Sequence, residues 1–152
     1  MLARDLMATD LEFCTLEDSA HKAGEIMLRR NCGFVPIVRD LVNFVLEGVV
    51  TDRDLALYLA RTDKRPSEIH LSEFCTRNLK TAFPDDEIHE VIAQMEGGHV
   101  HRIPVVDRSG KLLGLVSLKN LAEETWKERS YNTPELTEKE LAEILESIAL
   151  SR

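Results

Sequence analysis

Two four-residue segments carry the side chains best suited to chemistry. Thr51-Asp52-Arg53-Asp54 sets a hydroxyl and a carboxylate three residues apart, and Ser117-Leu118-Lys119-Asn120 repeats the spacing with an amide in the last place. Hydroxyl and acid at this spacing form the reciprocal cap that opens many helices, each side chain taking one of the first backbone N–H groups. A carboxylate is also an acceptor-only group, able to take hydrogens from a bound hydroxyl. His101-Arg102 stands just before Ile103-Pro104-Val105. Its arginine offers a planar fork of donors that suits a phosphate, and its histidine adds another donor. The plainer alternative for this pair is a solvated strand entrance with a surface ion pair.

Other chemistry is poorly served. On one strand, His99 and His101 would project to the same face, as a metal site requires, but no third ligand stands at a convincing spacing. No Gly-rich phosphate loop or Gly-x-Ser-x-Gly elbow occurs. With 27 acidic residues, acidic pairs arise by chance, and Asp85-Asp86-Glu87 suits a helix N-terminus electrostatically. No catalytic residue and no metal is assigned, and the chain reads as non-enzymatic.

The elements that must position these groups are written twice. Pro104 lies 68 residues beyond Pro36, Asp86 beyond Asp18 and Met95 beyond Met27. After the prolines the offset becomes 66, bringing Gly48-Val49-Val50-Thr51 onto Gly114-Leu115-Val116-Ser117. The change places two extra residues in the first hairpin. Each repeat reads as a short lead strand, a helix, two strands and a second helix. Ile88, Val91, Ile92 and Met95 form one helical stripe, matched in the first repeat by the smaller Ala20, Ala23, Gly24 and Met27. Asp107-Arg108-Ser109-Gly110 makes a hairpin connection. The second helices are expected over residues 52–62 and about 118–128. The division follows chain order: a first repeat over 1–66, with its linker at 63–67, a second over 67–128, and a tail over 129–152. In the tail, Thr137-Glu138-Lys139-Glu140 caps an amphipathic helix at about 137–150, with Leu141, Ile144, Leu145 and Ile148 on one stripe. The stripe must cover either its own module or a partner chain. Trp126 and Tyr131, after the second repeat, cover its edge or support the tail.

Composition bounds the partners. The 152 residues are 43% apolar and 30% charged, but only 5% aromatic, so aliphatic packing must carry the core. A net charge of −8 argues against non-specific nucleic-acid binding, which depends on Lys and Arg neutralising phosphates. Local cations still permit a small anionic ligand. No apolar run approaches the roughly 20 residues that span a bilayer, and the N-terminus lacks a signal-peptide pattern, so a cytoplasmic protein is expected. Cys14, Cys32 and Cys75 form no Cys-x-x-Cys pair and read as reduced thiols, a Cys14–Cys32 disulfide being the lesser alternative.

The duplicated Gly-h-h-Thr/Ser-x-x-Asp/Asn, about a dozen residues after an h-Pro-h-h strand, resembles the cystathionine-β-synthase (CBS) domain. The likeness runs over residues 1 to about 128. It implies an α+β fold: two β-α-β-β-α repeats packed sheet to sheet with pseudo-two-fold symmetry, here with an added C-terminal helix. It implies a regulatory module binding AMP, ADP, ATP or S-adenosylmethionine in clefts between the repeats. Carried over residue by residue, Thr51 and Asp54 hold ribose hydroxyls, and His101 and Arg102 contact phosphate. Arg53 and Lys119 occupy matching motif positions and add positive charge, while Phe34 and Pro36 are candidates for an adenine slot. Asn120 departs from the expected aspartate, which implies a weak or empty site at Ser117 and Asn120. The likeness further implies a homodimer acting on an unidentified protein target. The alternatives are a ligand-free interaction module and an S-adenosylmethionine sensor.

Overall fold

The computed structural model describes residues 1–128 and 134–150. Helix α1 spans Ala3–Leu6 and α2 Ala20–Arg30; strands β1 (Phe34–Val38) and β2 (Leu46–Thr51) follow, then α3 (Asp52–Leu59). Two 3₁₀ turns, Pro66–Glu68 and Leu71–Glu73, lead to α4 (Ile88–Gly98), β3 (Arg102–Val106), β4 (Leu112–Ser117), α5 (Leu118–Glu128) and α6 (Glu138–Ala149). The strands form two two-stranded sheets, β1 with β2 and β3 with β4. This is the CBS-pair α+β architecture, with its C-terminal helix.

Packing divides the chain into two units. One holds residues 11–79 with 109–112; the other holds residues 1–10, 80–108 and the chain from 113 onward. In the first-repeat unit β1 and β2 run antiparallel, with Phe34 opposite Thr51 and Pro36 opposite Val49. Val35, Ile37 and Val50 pack there on Ala23, Ile26 and Met27 of α2, with Cys14 and Leu71. In the second-repeat unit Ile88, Val91, Ile92 and Met95 of α4 pack on Ile103, Val105 and Val116, as their helical stripe requires.

The expected lead strands shrink to one residue each. Cys14 bridges Ile37 in parallel, and Ala82 bridges Val105. Cys14 N–H donates to Pro36 O (3.0 Å), and Val38 N–H donates to Cys14 O (2.9 Å). The next parallel bond would need an N–H from Pro36, which proline lacks. Ala82 repeats both bonds with Pro104 and Val106, and Pro104 stops the ladder in the same way.

The units also depart from chain order. Ala3 N–H donates to Asp86 O, and 68 residues on Leu71 N–H donates to Asp18 O, both at 2.9 Å. Ala8 bridges Leu115 as Thr76 bridges Val49. Residues 1–10 therefore build the second-repeat unit, and the equivalent segment around 70–76 builds the first. Ala3 and Leu71 are both fully buried, so each segment adds a core residue as well as backbone bonds.

Helix ends correct two sequence expectations. Helix α3 stops at Leu59 rather than Thr62, because Arg61 N–H turns back to Tyr58 O in a tight closing turn. His99 is the C-cap of α4, in the left-handed region at φ 50°, as Asn31 is for α2 at φ 48°. His99 and His101 therefore do not share a strand, and the described residues hold no cluster fit for a metal.

The tail helix lies on its own unit. Thr137 caps it, and Ile144 and Ile148, with Leu136 before the helix, join the second-repeat core, while Leu145 at 48% exposure does not. Buried Glu128, at the end of α5, accepts from Glu135 N–H (2.9 Å) and Leu136 N–H (3.1 Å), fixing the entry to α6. Trp126 is exposed, and Tyr131 lies outside the described residues. All three cysteines are free, and burial pushes the Cys14 thiol up to about 11. Among the described residues no helix is long and apolar enough to cross a membrane.

Candidate functional site

Both hydroxyl-x-x-acid/amide segments sit where a strand turns directly into a helix, β2 into α3 and β4 into α5. In the first repeat Thr51 is the N-cap. Its Oγ1 accepts from Asp54 N–H (3.1 Å), while Asp54 Oδ2 accepts from Thr51 N–H (3.0 Å). The cap is thus real, yet it spends only half of each side chain. Asp54 Oδ1 and the Thr51 hydroxyl hydrogen engage no partner among the described residues. Both residues are half-buried, so these groups keep access to solvent.

The second repeat closes on itself. Asn120 Oδ1 accepts from Ser117 N–H (2.9 Å) and from the Ser117 hydroxyl (2.6 Å), and Ser117 Oγ accepts from Asn120 N–H (3.3 Å). The Ser117 backbone can only donate, so the amide oxygen must face it. What remains is the Asn120 Nδ2 group, a donor.

Around each cap the same backbone carries opposite chemistry. Leu118 N–H donates to His101 O (3.0 Å), and Asp52 N–H donates to Gly33 O (3.1 Å). The structure thus places His101 and Arg102 beside Ser117 and Asn120, at the start of β3. His101 is exposed and Arg102 half-buried. Lys119 is exposed and pairs with Glu123 at 3.6 Å. In the first repeat, Gly33 and half-buried Phe34 stand beside Thr51 and Asp54. There the nearest charges are Asp52 and exposed Arg53 of the same segment. Pro36 is buried within β1. One residue the motif reading passed over is Asp52. A Cβ built on Gly33 would stand 2.5 Å from Asp52 Oδ2, so the carboxylate fills the space that a side chain occupies at His101. The available signal was the pairing of Gly33 with Asp52 against His101 with Leu118.

The helix entrances α2 and α4 repeat a second clamp. Asp18 Oδ2 accepts from Thr15 N–H (2.7 Å), and Asp86 Oδ2 from Phe83 N–H (2.8 Å). Asp18 alone adds a lysine, Lys22 at 2.9 Å. Burial raises its pKa, but the Thr15 N–H and the Lys22 ammonium outweigh burial and hold it below the ordinary carboxylate value.

Known proteins share this plan. The chain is 34% identical over 119 residues to YlbB of Bacillus subtilis, an uncharacterized protein, covering 78% of each. The CBS domain pair of MJ0100, solved with 5′-methylthioadenosine and S-adenosyl-L-methionine, superposes with a TM-score of 0.71 at 27% identity, covering 81% of this chain and 94% of that one. TA0289 of Thermoplasma acidophilum superposes with a TM-score of 0.76 at 19% identity over 97% of this chain and 75% of that one, sharing the fold. The CBS-domain family profile matches residues 3–61 and again 71–127, and the chain therefore belongs to the CBS-domain family as a tandem pair.

Proposed function

We propose that the chain is a non-catalytic regulatory module that senses an adenosine-containing ligand, AMP, ADP or ATP. The ribose is assigned to Thr51 and Asp54, and phosphate to His101 and Arg102. The observation that carries this reading is the half-used cap of the first repeat, where Asp54 Oδ1 and the Thr51 hydroxyl remain available. A carboxylate oxygen can accept from a ribose hydroxyl, and charge assistance makes that bond stronger than a neutral one. Phe34 and Pro36 are assigned to the adenine, and Arg53 and Lys119 to supporting charge. The Ser117/Asn120 end is the weaker binder. Occupancy acts by population shift, since a ligand favours whichever conformation satisfies its contacts best, and a homodimer carries the change to a protein target.

A second reading has S-adenosylmethionine as the ligand, favoured by the adenosyl compounds held by the MJ0100 pair. Calorimetry with AMP, ADP, ATP and S-adenosylmethionine, on the wild type and on Asp54→Ala, tests both. Binding of one of the four that weakens roughly 10- to 100-fold in the mutant is the expected result, the loss typical of a hydrogen bond to a charged group. Absence of binding by all four overturns the sensor reading.

A further inference from the structure

We propose that Asp52, seated on Gly33, is the charge discriminator of the Thr51/Asp54 site. The site favours adenosine ligands of low negative charge over triphosphates. The inference rests on the ligand reading above and decides among the ligands it leaves open.

The two repeats supply the comparison. Each has one residue before the first strand whose carbonyl receives the first helical N–H. In the second repeat that residue is His101, and the helix opens with apolar Leu118. In the first it is Gly33, and the helix opens with Asp52. The sites differ by a matched exchange, basic side chain with apolar partner against no side chain with acidic partner. The exchange is sterically coupled. A Cβ at Gly33 would meet Asp52 Oδ2 at 2.5 Å, Cγ at 2.7 Å and Oδ1 at 3.0 Å. Gly33 has no unusual backbone angle to explain the glycine. Its lack of a side chain is what leaves room for the carboxylate. Asp52 Oδ1 also accepts from Arg53 N–H (2.9 Å), which holds the group in that place.

A negative charge held two residues from Thr51 and three before the helix's second turn faces any ligand anchored on Thr51 and Asp54. It disfavours each added phosphate by like-charge repulsion, and more so when water is displaced. It is indifferent to a neutral 5′ substituent and favourable to a cationic one. Ligand choice is then set by charge count at one position, with the ribose contacts common to all.

The test is calorimetry on wild type, Asp52→Asn and Gly33→Ala with 5′-methylthioadenosine, AMP, ATP and S-adenosylmethionine. Asp52→Asn keeps the shape and removes the charge. We expect ATP to gain about tenfold in affinity, AMP to gain less, 5′-methylthioadenosine to stay unchanged and S-adenosylmethionine to weaken. Gly33→Ala keeps the charge and pushes it aside, and the same ranking should move in the same direction by a smaller factor. Repeating the ATP titration at high salt should shrink the gain, since screening weakens exposed charges. Melting curves show that each variant is folded. Equal changes for all four ligands, or none for any, overturn the discriminator. Failure of the wild type to bind any of them overturns the underlying ligand reading instead, and the two results cannot be confused.

Discussion

The strand-to-helix corners at Thr51 and Ser117 have one backbone and two chemistries. Both form the reciprocal cap, and both tie the helix start to the residue before the preceding strand. Yet the first leaves a carboxylate oxygen and a hydroxyl hydrogen, and the second leaves only an amide donor. The lesson is that a helix cap and a ligand site are not rival explanations of one motif. A carboxylate has enough lone pairs for both tasks, whereas an amide oxygen that takes two bonds from its own cap has little left. Thr137 and Glu140 at the head of α6 make the point from the other side: Glu140 Oε2 takes both Thr137 bonds, and the pair serves as a cap alone.

The comparison extends to the bodies of the two units, and there the largest effect is expected. Helix α6 adds Ile144 and Ile148 to the second-repeat core, while the first-repeat unit leaves Leu28 85% exposed and Leu57 47% exposed. The equivalent second-repeat positions are Glu96 and Glu123. Ile148→Ala should cost about 2–5 kcal/mol, the range for truncating a buried aliphatic side chain. Amide hydrogen exchange should show lost protection in α4, α5 and α6, with α2 and α3 unchanged. Loss of protection spread evenly over both units would mean that they do not differ in what stabilises them.

A smaller effect separates the corners themselves. Asn120→Asp gives the second repeat the carboxylate of the first, freeing one oxygen while the other keeps the cap. Adenosine-ligand affinity at that end should rise about tenfold, seen in calorimetry as a second binding event. If stoichiometry and affinity stay as in the wild type, residue 120 is not what distinguishes the corners.

Much of this was legible in the residues. The offset of 68 residues and then 66 placed every helix and the four paired strands, because apolar periodicity and turn chemistry agree at each position. The α5 limits and the Thr137 cap follow the same local rules. What escaped was non-local or depended on one atom. The single-residue lead bridges follow from the missing N–H of Pro36 and Pro104, which a pattern of apolar residues does not register. The association of residues 1–10 with the second-repeat unit is long-range pairing that no local window contains. His99 looked like a strand residue because Val100 to Val106 is nearly all apolar; its left-handed cap conformation is a property of the helix before it. The Thr51 and Asp54 pair was visible from type and spacing, but the division of each side chain between cap and free acceptor is geometry.

The smallest effect concerns the clamps ahead of α2 and α4. Asp18 and Asp86 hold matching N–H groups, but Asp18 also pairs with Lys22, where the second repeat has Glu90. The folded state therefore holds Asp18 below its ordinary value of 3.8, burial being outweighed by the Thr15 N–H and Lys22. A carboxyl whose pKa is lower in the folded chain binds its proton more readily when unfolded. Its contribution is thus complete above 3.8 and is lost as the pH falls through the lower folded value. Asp18→Asn should lower the urea midpoint at neutral pH by an amount worth less than about 1 kcal/mol, since the pair is largely at the surface. The gap between wild type and mutant should narrow as the pH is taken below 3.8 and close once Asp18 is protonated in both states. A gap that stays constant through that range would assign the loss to the shape of the Thr15 turn and not to the charge. Lys22→Glu, which gives the first clamp the character of the second, should then leave the midpoint unchanged.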